Sequence, residues 1–550
     1  MRLLAYLALS LCAALAPLAA QSTLGVVLGS VRDASGAVVA GAAVKLTNIG
    51  ENTSRDGTTN TNGDYEFQNV KAGQYELTVT LAGFRSFSAR GFSVAARQTV
   101  RVDAALQVGD VTQTIEITSA VGVIATDSPV VASTLSREKI ISLPVNVRGG
   151  GTTSPYAIIA ALPGVQPDNG GGFAIQGGVP AQTESTSDGI SITGVTGNSP
   201  NRNLFPSVET ISEIKVQGVG NSAEYGTPGD ITTISKSGNN VYHGALFWYH
   251  QNKAFDSRTF NQARLPSKIA NTFGATVSGP VLLPKIYNGK DRTFFLFTWE
   301  SFRYPGQRTL TNSVPTVRMK NGDFSQEGVN IRDPFTGTPF PGNVIPQSRF
   351  NAAPKLILPF YPDPNVGNVD RFAAANFIDN RRADLSSKQF DTRIDHQFSP
   401  AHVLFGRYSF KNAESINPNN LTLPSDIGFS NYKQAVLNYT WTIRPNLLNQ
   451  FIGGIAYAPS GSQFPFDGLA FSNSLNLNDI QREIFFNGLP NFSIDRMTGF
   501  SKGRPGRGAS WNTQFIDNVT WTKGRHTIKA GIDIRRLRAE SNLGFTTGDN

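Results

Sequence analysis

Three segments in the second half of the chain alternate mainly apolar and mainly polar side chains over about ten residues. The pattern is clearest in residues 434–443 and is repeated in residues 389–398 and 526–535. A repeat of two residues is typical of a β-strand with two different faces, and a strand crosses a membrane in about 9 to 11 residues. We therefore predict membrane-spanning strands whose mainly apolar faces carry Ala435, Leu437, Tyr439, Trp441 and Ile443; Phe390, Thr392, Ile394, His396 and Phe398; and His526, Ile528, Ala530, Ile532 and Ile534.

The N-terminus predicts export from the cytoplasm. Residues 1–20 comprise a basic start at Arg2, an apolar run from Leu3 to Leu15 and a small-residue stretch ending at Ala20, which is the pattern of a signal peptide. A lipoprotein anchor at Cys12 is disfavoured because Leu11 precedes it, where a small residue is expected. No later segment reaches the ~18 consecutive apolar residues of a membrane helix. A membrane location after export therefore requires strands closed into a barrel.

Composition favours β-structure and excludes several classes of protein. Charged residues form 16% of the chain, against a usual ~25%, and 54 glycines and 31 prolines limit long helices. The net charge of +9 arises without clusters of lysine and arginine, so we predict no nucleic-acid partner. The single cysteine, Cys12, excludes a disulfide framework and a thiolate metal site in the rest of the chain.

Residues 22–107 predict a small antiparallel β-sandwich. Residues 74–81 and 100–106 alternate with a period of two, and turn signals such as Asn62-Gly63-Asp64 separate the runs. The segment resembles the carboxypeptidase regulatory-like domain in two sequence motifs, Gly29-Ser30-Val31-Arg32-Asp33 and Asp64-Tyr65-Glu66-Phe67. That resemblance implies a transthyretin-like accessory sandwich without catalysis.

Residues 108–240 are rich in glycine, serine, threonine and valine, with short mixed runs. Seven short motifs there occur in the order seen in the plug of TonB-dependent outer-membrane receptors, and the chain resembles the Oar-like branch of that family. The motifs are Leu143 to Arg148, Leu162-Pro163-Gly164-Val165, Gln176-Gly177-Gly178, Asp188-Gly189-Ile190, Ile211 to Val216, Ala223-Glu224-Tyr225-Gly226 and Ser235 to Asn240. The resemblance implies a mixed plug domain, a TonB-type periplasmic energy-transducing partner, contact with outer-membrane lipid and an extracellular ligand.

Residues 241–550 predict part of a large transmembrane antiparallel β-barrel, which makes the whole chain all-β. Residues 521–526 look like a tight hairpin turn, whereas 304–388 read as a long extracellular loop, and this asymmetry is typical of outer-membrane barrels. About nine to eleven strand candidates follow residue 240, whereas the family's barrel has twenty-two. Because residues 546–550 also lack a terminal aromatic strand, we expect a truncated product or a piece of a longer protein.

The resemblance also suggests one functional segment, a candidate TonB box at Thr114, Ile115, Glu116, Ile117 and Thr118. Strand addition to a periplasmic partner requires an extended segment with free backbone groups. An equally good interpretation makes this segment the last sandwich strand or a linker.

We predict no catalytic site, no cofactor and no metal site. The five histidines form no zinc motif, and the glycine-rich segment 218–223 precedes helix-breaking residues, so a plug turn is favoured over a dinucleotide site. Asp188-Gly189 and Asp333 to Gly337 lack the alternating carboxylates of a calcium loop, and turn formation explains them better.

Three functions fit the sequence. The first is a TonB-dependent outer-membrane receptor that takes up a bulky ligand, such as an oligosaccharide, a peptide or a metal chelate. The second is an outer-membrane adhesion or assembly protein anchored by the barrel. The third is a secreted soluble β-protein, and extraction behaviour would separate it from the other two.

Overall fold

The computed structural model describes residues 22–109, 114–117, 131–142, 155–168, 172–195, 206–221, 223–257, 268–476, 488–502, 506–524 and 526–542. The predicted signal peptide and the motif at 143–148 lie outside these residues. The described chain is built mainly of strands, as the sequence predicts, arranged as a sandwich, a plug and a large nine-stranded sheet.

Two sheets form the N-terminal sandwich. One sheet has the order β4-β1-β7 with β8 also pairing β1, and the other has the order β3-β2-β5-β6-β9. The alternating apolar residues of both sheets face inward and form one core, which includes Val31, Leu77 and Val100. The strands are β1 Gly25–Asp33, β2 Ala43–Asn48, β3 Thr53–Thr58, β4 Asp64–Val70, β5 Gly73–Thr80, β6 Ser86–Val94, β7 Thr99–Arg101, β8 Ala104–Leu106 and β9 Thr114–Ile117.

A five-stranded sheet in the order β10-β15-β16-β13-β14 organises the plug. After β15, the described residues reach β16 through turns without a helix, which agrees with the plug-turn interpretation of residues 218–223. The strands are β10 Val131–Ser136, β11 Val165–Pro167, β12 Phe173–Ile175, β13 Thr183–Ser187, β14 Ile190–Ser191, β15 Ile211–Val219 and β16 Gly229–Ser235; a helix spans Arg137–Ser142, and 3₁₀ turns span Pro155–Ala161, Pro180–Gln182 and Val208–Thr210.

The third part is a nine-stranded, fully antiparallel sheet that follows chain order. Its strands are β17 His243–Asn252, β18 Ile269–Pro280, β21 Thr293–Tyr304, β24 Leu385–Ser399, β25 His402–Asn417, β26 Asp426–Arg444, β27 Leu447–Gln463, β30 Arg507–Lys523 and β31 His526–Asn542. Small hairpins between them pair β19 Leu282–Leu283 with β20 Tyr287–Asn288, β22 Gln307–Asn312 with β23 Phe377–Arg382, and β28 Leu489–Phe492 with β29 Phe500–Lys502.

The predicted strand faces are confirmed. On β26, Leu437 is 46% exposed on the outer face, whereas its neighbour Asn438 is 2% exposed on the inner face. On β24, Ile394 and Phe398 point outward in the same way. The predicted tight turn after Trp521 is also present, because Lys523 pairs directly with His526.

One end of the sheet has short connections and the other has long ones. Strands β24 and β25 are joined through residues 400–401, and β26 and β27 through 445–446, whereas 80 residues, 305–384, separate β21 from β24. By the usual asymmetry of outer-membrane barrels, the short turns face the periplasm. The predicted loop 304–388 ends earlier than expected, since β24 already begins at Leu385.

The long loops are folded rather than extended. They contain helices Val317–Lys320, Ala352–Ile357 and Gly468–Ser474, with 3₁₀ turns at Lys253–Phe255, Pro341–Asn343, Gln347–Arg349 and Leu358–Phe360. Three of the loops share one apolar cluster, in which Phe360 lies 5.8 Å from Phe466 and 5.3 Å from Phe500, measured between ring centroids. We call this unit the extracellular cap. Among the described residues, no helix is long and apolar enough to cross a membrane.

Candidate functional site

The inner face of the barrel sheet carries buried polar side chains. Strands in water or lipid do not bury charges without partners, because an unpaired buried charge is very costly. Here the plug supplies many of those partners. The buried inward side chains include Glu300, Asp391, Arg393, Asp395, Arg407, Ser409, Gln434, Gln450, Asn512 and Gln514.

The centre of this interface is a plug turn at Asp188 and Gly189, between β13 and β14. Both residues have positive φ, 49° and 90°, which is the backbone geometry of a two-residue hairpin turn. The turn interpretation is therefore confirmed, but the aspartate has a second role. Its Oδ2 lies 2.5 Å from Nε of Arg407 on β25, and its Oδ1 lies 3.8 Å from Nη1 of Arg393 on β24.

Neighbouring polar groups complete this ionic contact. Asp188 accepts hydrogen bonds from the backbone N–H and the hydroxyl of Ser235, at 2.9 and 2.8 Å. Arg393 donates to the hydroxyl of Ser235 at 2.8 Å and pairs with Asp395 at 2.8 Å. Arg407 donates to the hydroxyl of Ser187 at 2.9 Å. The cluster thus connects two plug strands to two barrel strands.

In a second contact the charges lie on the barrel as carboxylates, and these accept hydrogen bonds from the plug. Asp391 accepts from the backbone N–H of Ser207 at 3.0 Å, and Glu300 accepts from the hydroxyl of the same serine at 2.7 Å. Ser207 is also the N-cap of the 3₁₀ turn Val208–Thr210. The short turn is therefore fixed to the barrel at its first residue.

The outer side of the plug hairpin β13–β14 is held by the last barrel strands. Glu184 lies 3.2 Å from Nη1 of Arg535 on β31. The backbone N–H of Ser191 donates to Gln514 at 2.9 Å, and its carbonyl accepts from Asn512 at 3.0 Å. An ion pair and hydrogen bonds thus hold the hairpin against β30 and β31, while Asp188 holds its turn against β25.

An apolar contact lies between these polar groups. Ile190 of the plug is fully buried against Val436, Ile452 and Ile516 of the barrel. Gly454 makes this approach possible, because a Cβ at that position would lie 2.5 Å from Cγ1 of Ile190 and 2.9 Å from a backbone oxygen. The glycine therefore lets the plug tip lie close against the barrel wall.

The sandwich docks onto the plug through one of its loops. Lys215 of β15 donates to the carbonyl oxygens of Ala96 and Arg97, at 2.9 and 2.8 Å, and Glu213 accepts from the N–H of Ala96 at 2.6 Å. Burial, with the nearby guanidinium of Arg97, lowers the pKa of Lys215 to about 8. Burial raises the pKa of Glu213 above its usual value.

Arg97 itself reaches into the plug. Its guanidinium pairs with Asp230 and lies 3.6 Å from the ring centroid of Tyr225. Desolvation opposes the charge, but Tyr225 and Asp230 together keep the pKa of Arg97 above its usual value. The sandwich and the plug are therefore joined by a buried cation, in a loop where Arg97 itself has a φ of 55°.

The sandwich also contacts the periplasmic end of the barrel. Nζ of Lys71 lies 2.6 Å from Glu51 within the sandwich, and 2.7 Å from both Ser237 of the plug and Asp395 of β24. Glu66 accepts from Thr522 and Thr527 beside the last periplasmic turn, at 3.3 and 3.2 Å. A cavity of about 150 Å³ lies where sandwich, plug and barrel meet.

The candidate TonB box falls at the edge of the sandwich. Residues Thr114–Ile117 form β9, which runs parallel to residues 86–89 of β6, while Thr118 lies outside the described residues. Since β9 is last in its sheet order, no described strand pairs with its second edge. This position agrees with the alternative interpretation of the segment as a last sandwich strand, and it also leaves free backbone groups.

Candidate metal and catalytic groups gain no new support from the geometry. The part of the chain that the structure describes contains no cluster of three or more potential metal-binding side chains. His396 and His402 lie on the two strands of one hairpin. Sequence reasoning missed the role of Asp188 in the ionic contact and of Arg97 in docking.

A sheet of membrane-spanning strands whose inner face binds a plug through buried polar contacts is the architecture of a plugged outer-membrane barrel protein. Residues 234–549 match the family described as outer membrane beta barrel domain, and residues 26–107 match the carboxypeptidase regulatory-like domain. The chain belongs to this outer-membrane β-barrel family, which places it in the outer membrane, and its domains and sequence are similar to those of Oar-like TonB-dependent receptors.

The chain is also similar to individual proteins. The chain is 28% identical over 269 residues to the TonB-dependent transporter Oar of Myxococcus xanthus. The aligned region covers 46% of this chain and 24% of that protein. It is 12% identical to the outer membrane transporter YddB from Escherichia coli, with a TM-score of 0.45 over 74% of this chain and 48% of that one. It is also 12% identical to a ferric enterobactin receptor from Pseudomonas aeruginosa, with a TM-score of 0.37 over 76% of this chain and 55% of that one.

The chain thus spans about a quarter of the length of the curated relative and about half the length of these solved structures. The relatives are named as transporters or receptors rather than as enzymes.

Proposed function

We propose that this chain acts in TonB-dependent uptake of a bulky ligand across the outer membrane. The observation that carries the proposal is the character of the plug interface, in which charges and hydrogen bonds lie beside two apolar contacts, one at Ile190 and one where the plug core meets Tyr432, Ala456 and Ala458 of the barrel. A hydrogen bond between neutral groups contributes only about 0.5–1.5 kcal/mol net, and one to a charged group about 1.5–3 kcal/mol, because water replaces it when it opens. Such an interface holds the plug at rest and still releases it under applied work.

Work has to reach the plug from the periplasm. The sandwich occupies that side and is joined to the plug through Arg97 and Lys215. Force applied near residues 114–118 would therefore pass to β15 and β16 of the plug. We propose that a TonB-type partner adds a strand to the free edge of β9, or replaces β6 there, through backbone hydrogen bonds.

Transport and surface binding of a labelled ligand, measured separately in intact cells, test this function. Ile115→Pro removes a backbone donor and prevents ladder formation, so uptake should stop while surface binding persists. Glu116→Ala is the matched control, because it keeps the backbone, and uptake should continue. Unimpaired uptake by the proline variant would place the box elsewhere, and loss of surface binding as well would make the segment structural.

The ligand class is proposed only as bulky, whether oligosaccharide, peptide or metal chelate. A second candidate function, adhesion or assembly with the barrel as an anchor, is favoured by the extracellular cap, whose shared aromatic core gives the loops a fixed shape. Cells lacking the protein would then lose surface attachment while uptake of the labelled ligand stays unchanged.

A further inference from the structure

The lipid-facing surface of the barrel ends in basic residues on its extracellular side. On β24 the outward positions run from Phe398 through Ile394 to Phe390 and then reach Lys388. Phe398 and Lys388 are ten residues apart, which is about 34 Å along a strand and about 26 Å of depth at a tilt of about 40°. The apolar band of an outer-membrane barrel is about 25 Å tall, so Lys388 lies at its upper boundary.

Other strands show the same change along their outward faces. The outward face of β26 changes from Leu437 to Lys433, and that of β31 changes from Ile534 to Arg536. On β21 the corresponding change runs from Trp299 to Arg303. We call this set the basic collar: Arg303, Lys388, Lys433 and Arg536.

The collar contains a built cavity between β21, β24 and β25. The cavity has a volume of about 240 Å³, and strand pairing sets Arg303 opposite Ser386 and Lys388 opposite Ser301. Ser301 is only 2% exposed although it lies on the outer face, so the surrounding side chains form a real recess. Its polar lining comprises Ser301, Arg303, Ser386, Ser387, Lys388, Asn412 and Glu414.

Both cations in the recess are available to a ligand. Among the described residues Lys388 has neither an ion pair nor a hydrogen bond, and the guanidinium of Arg303 only lies over the ring of Phe273, 5.6 Å from its centroid. Phe273 packs edge-to-face on Trp299 at 5.8 Å. Aromatic rings at headgroup level and cations beside them are the two features by which membrane proteins bind the interface of a bilayer.

We propose that this recess binds the headgroup of a phosphate-bearing membrane lipid in the outer leaflet. Arg303 and Lys388 would bind the phosphate, and Glu414 would accept a hydrogen bond from a headgroup hydroxyl. The acyl chains would lie along the apolar outer face below, beside Trp299 and Phe390. The site faces lipid rather than the barrel interior, so it is independent of the plug and of ligand uptake.

Native mass spectrometry of the purified receptor, exposed to phosphatidylglycerol or phosphatidylcholine in detergent, tests the proposal. We expect retention of phosphatidylglycerol over phosphatidylcholine. The double variant R303Q/K388Q should lower that retention roughly tenfold or more, since each cation near a membrane surface contributes about 1 kcal/mol. The matched control K355Q/R371Q removes the same charge from exposed loop positions and should behave like the unchanged protein.

Two results would overturn the proposal. Equal retention of phosphatidylglycerol by R303Q/K388Q and by the control would show that the recess does not bind it. Complete displacement of the lipid by inorganic phosphate would show that the recess takes free phosphate instead of a lipid headgroup. The heat-dependent shift in gel mobility of the variants, compared with the unchanged receptor, confirms that the barrel is folded in each case.

Discussion

Oδ2 of Asp188 in the plug lies 2.5 Å from Nε of Arg407 in the barrel wall, and neither side chain is more than 2% exposed. Taking both charges out of water is expensive, and the pair is tolerated only because hydrogen bonds satisfy the remaining groups. Ser235 supplies two of these bonds to Asp188, and Ser187 and Gln434 accept two from Arg407. The pair thus fixes where the plug sits more than it adds stability.

Removing only one partner of this pair should loosen the plug. Asp188→Ala leaves Arg407 buried without its counter-charge, and breaking a buried pair in this way costs about 3–5 kcal/mol. The urea concentration at which the plug becomes sensitive to protease should therefore fall. A large antibiotic should also enter cells that carry this variant more readily than cells that carry the unchanged protein.

The double variant Asp188→Ala/Arg407→Met is the control for that prediction. Because it removes both charges, it should be less destabilised than the sum of Asp188→Ala and Arg407→Met, since residues in contact are not additive. Strict additivity would mean that the two side chains do not interact in the folded receptor.

Gly454→Ala should weaken the contact between Ile190 of the plug and the barrel wall by steric overlap alone. Its new methyl would meet Ile190 at 2.5 Å and a backbone oxygen at 2.9 Å, and overpacking of this kind costs about 1–3 kcal/mol. Gly406→Ala is the matched control on the neighbouring wall, where the nearest atom lies 3.9 Å away. Protease sensitivity of the plug should rise for the first variant and stay unchanged for the second.

The outer face should tolerate charge according to depth. Leu437→Arg places a cation within the apolar band and should cost about 2–4 kcal/mol, whereas Asn412→Arg, at the height of the basic collar, should cost about 0–1 kcal/mol. Folding of the barrel into lipid vesicles at increasing urea measures both. Similar midpoints for the two variants would show that the height of the band is wrongly assigned.

Much of the architecture was predictable because apolar and polar side chains alternate along membrane strands, and this pattern is visible in the local sequence. The alternation around Leu437 already separates the outer face from the inner face, and the turn after Trp521 is specified by its own residues. The loop 304–388 was less predictable, since its fold depends on distant partners. Phe360, for example, packs against Phe466 and Phe500 from another loop, and no local pattern announces that contact.

The site was predictable only in part for a similar reason. The alternation in residues 389–398 places inward charges such as Arg393 on the face opposite the apolar one, but their partner Asp188 carries the ordinary signature of a turn. Local sequence explains the turn completely, so nothing in it indicates a second role. Arg97 is a similar case, because its contacts with Asp230 and Tyr225 join residues more than 120 positions apart.

The docking of sandwich and plug should strengthen as pH rises from about 8 to about 10.5, the docked and ordinary pKa values of Lys215. When the sandwich separates, Lys215 returns to water and recovers its ordinary pKa. Between these two values the separated state binds more protons than the docked state, so the free energy of separation increases with pH. The slope is at most about 1.4 kcal/mol per pH unit, and it vanishes below pH about 8, where both states are protonated.

The groups around Lys215 define the control for this experiment. Arg97 lowers its pKa, whereas Glu213 and Asp230 raise it, so the net direction is set by burial. Lys215→Met removes the titrating amine but keeps a side chain of similar length. The urea concentration that exposes the sandwich–plug junction to protease should rise with pH in the unchanged receptor and lose that rise in Lys215→Met. The same rise in both proteins would show that another group controls docking.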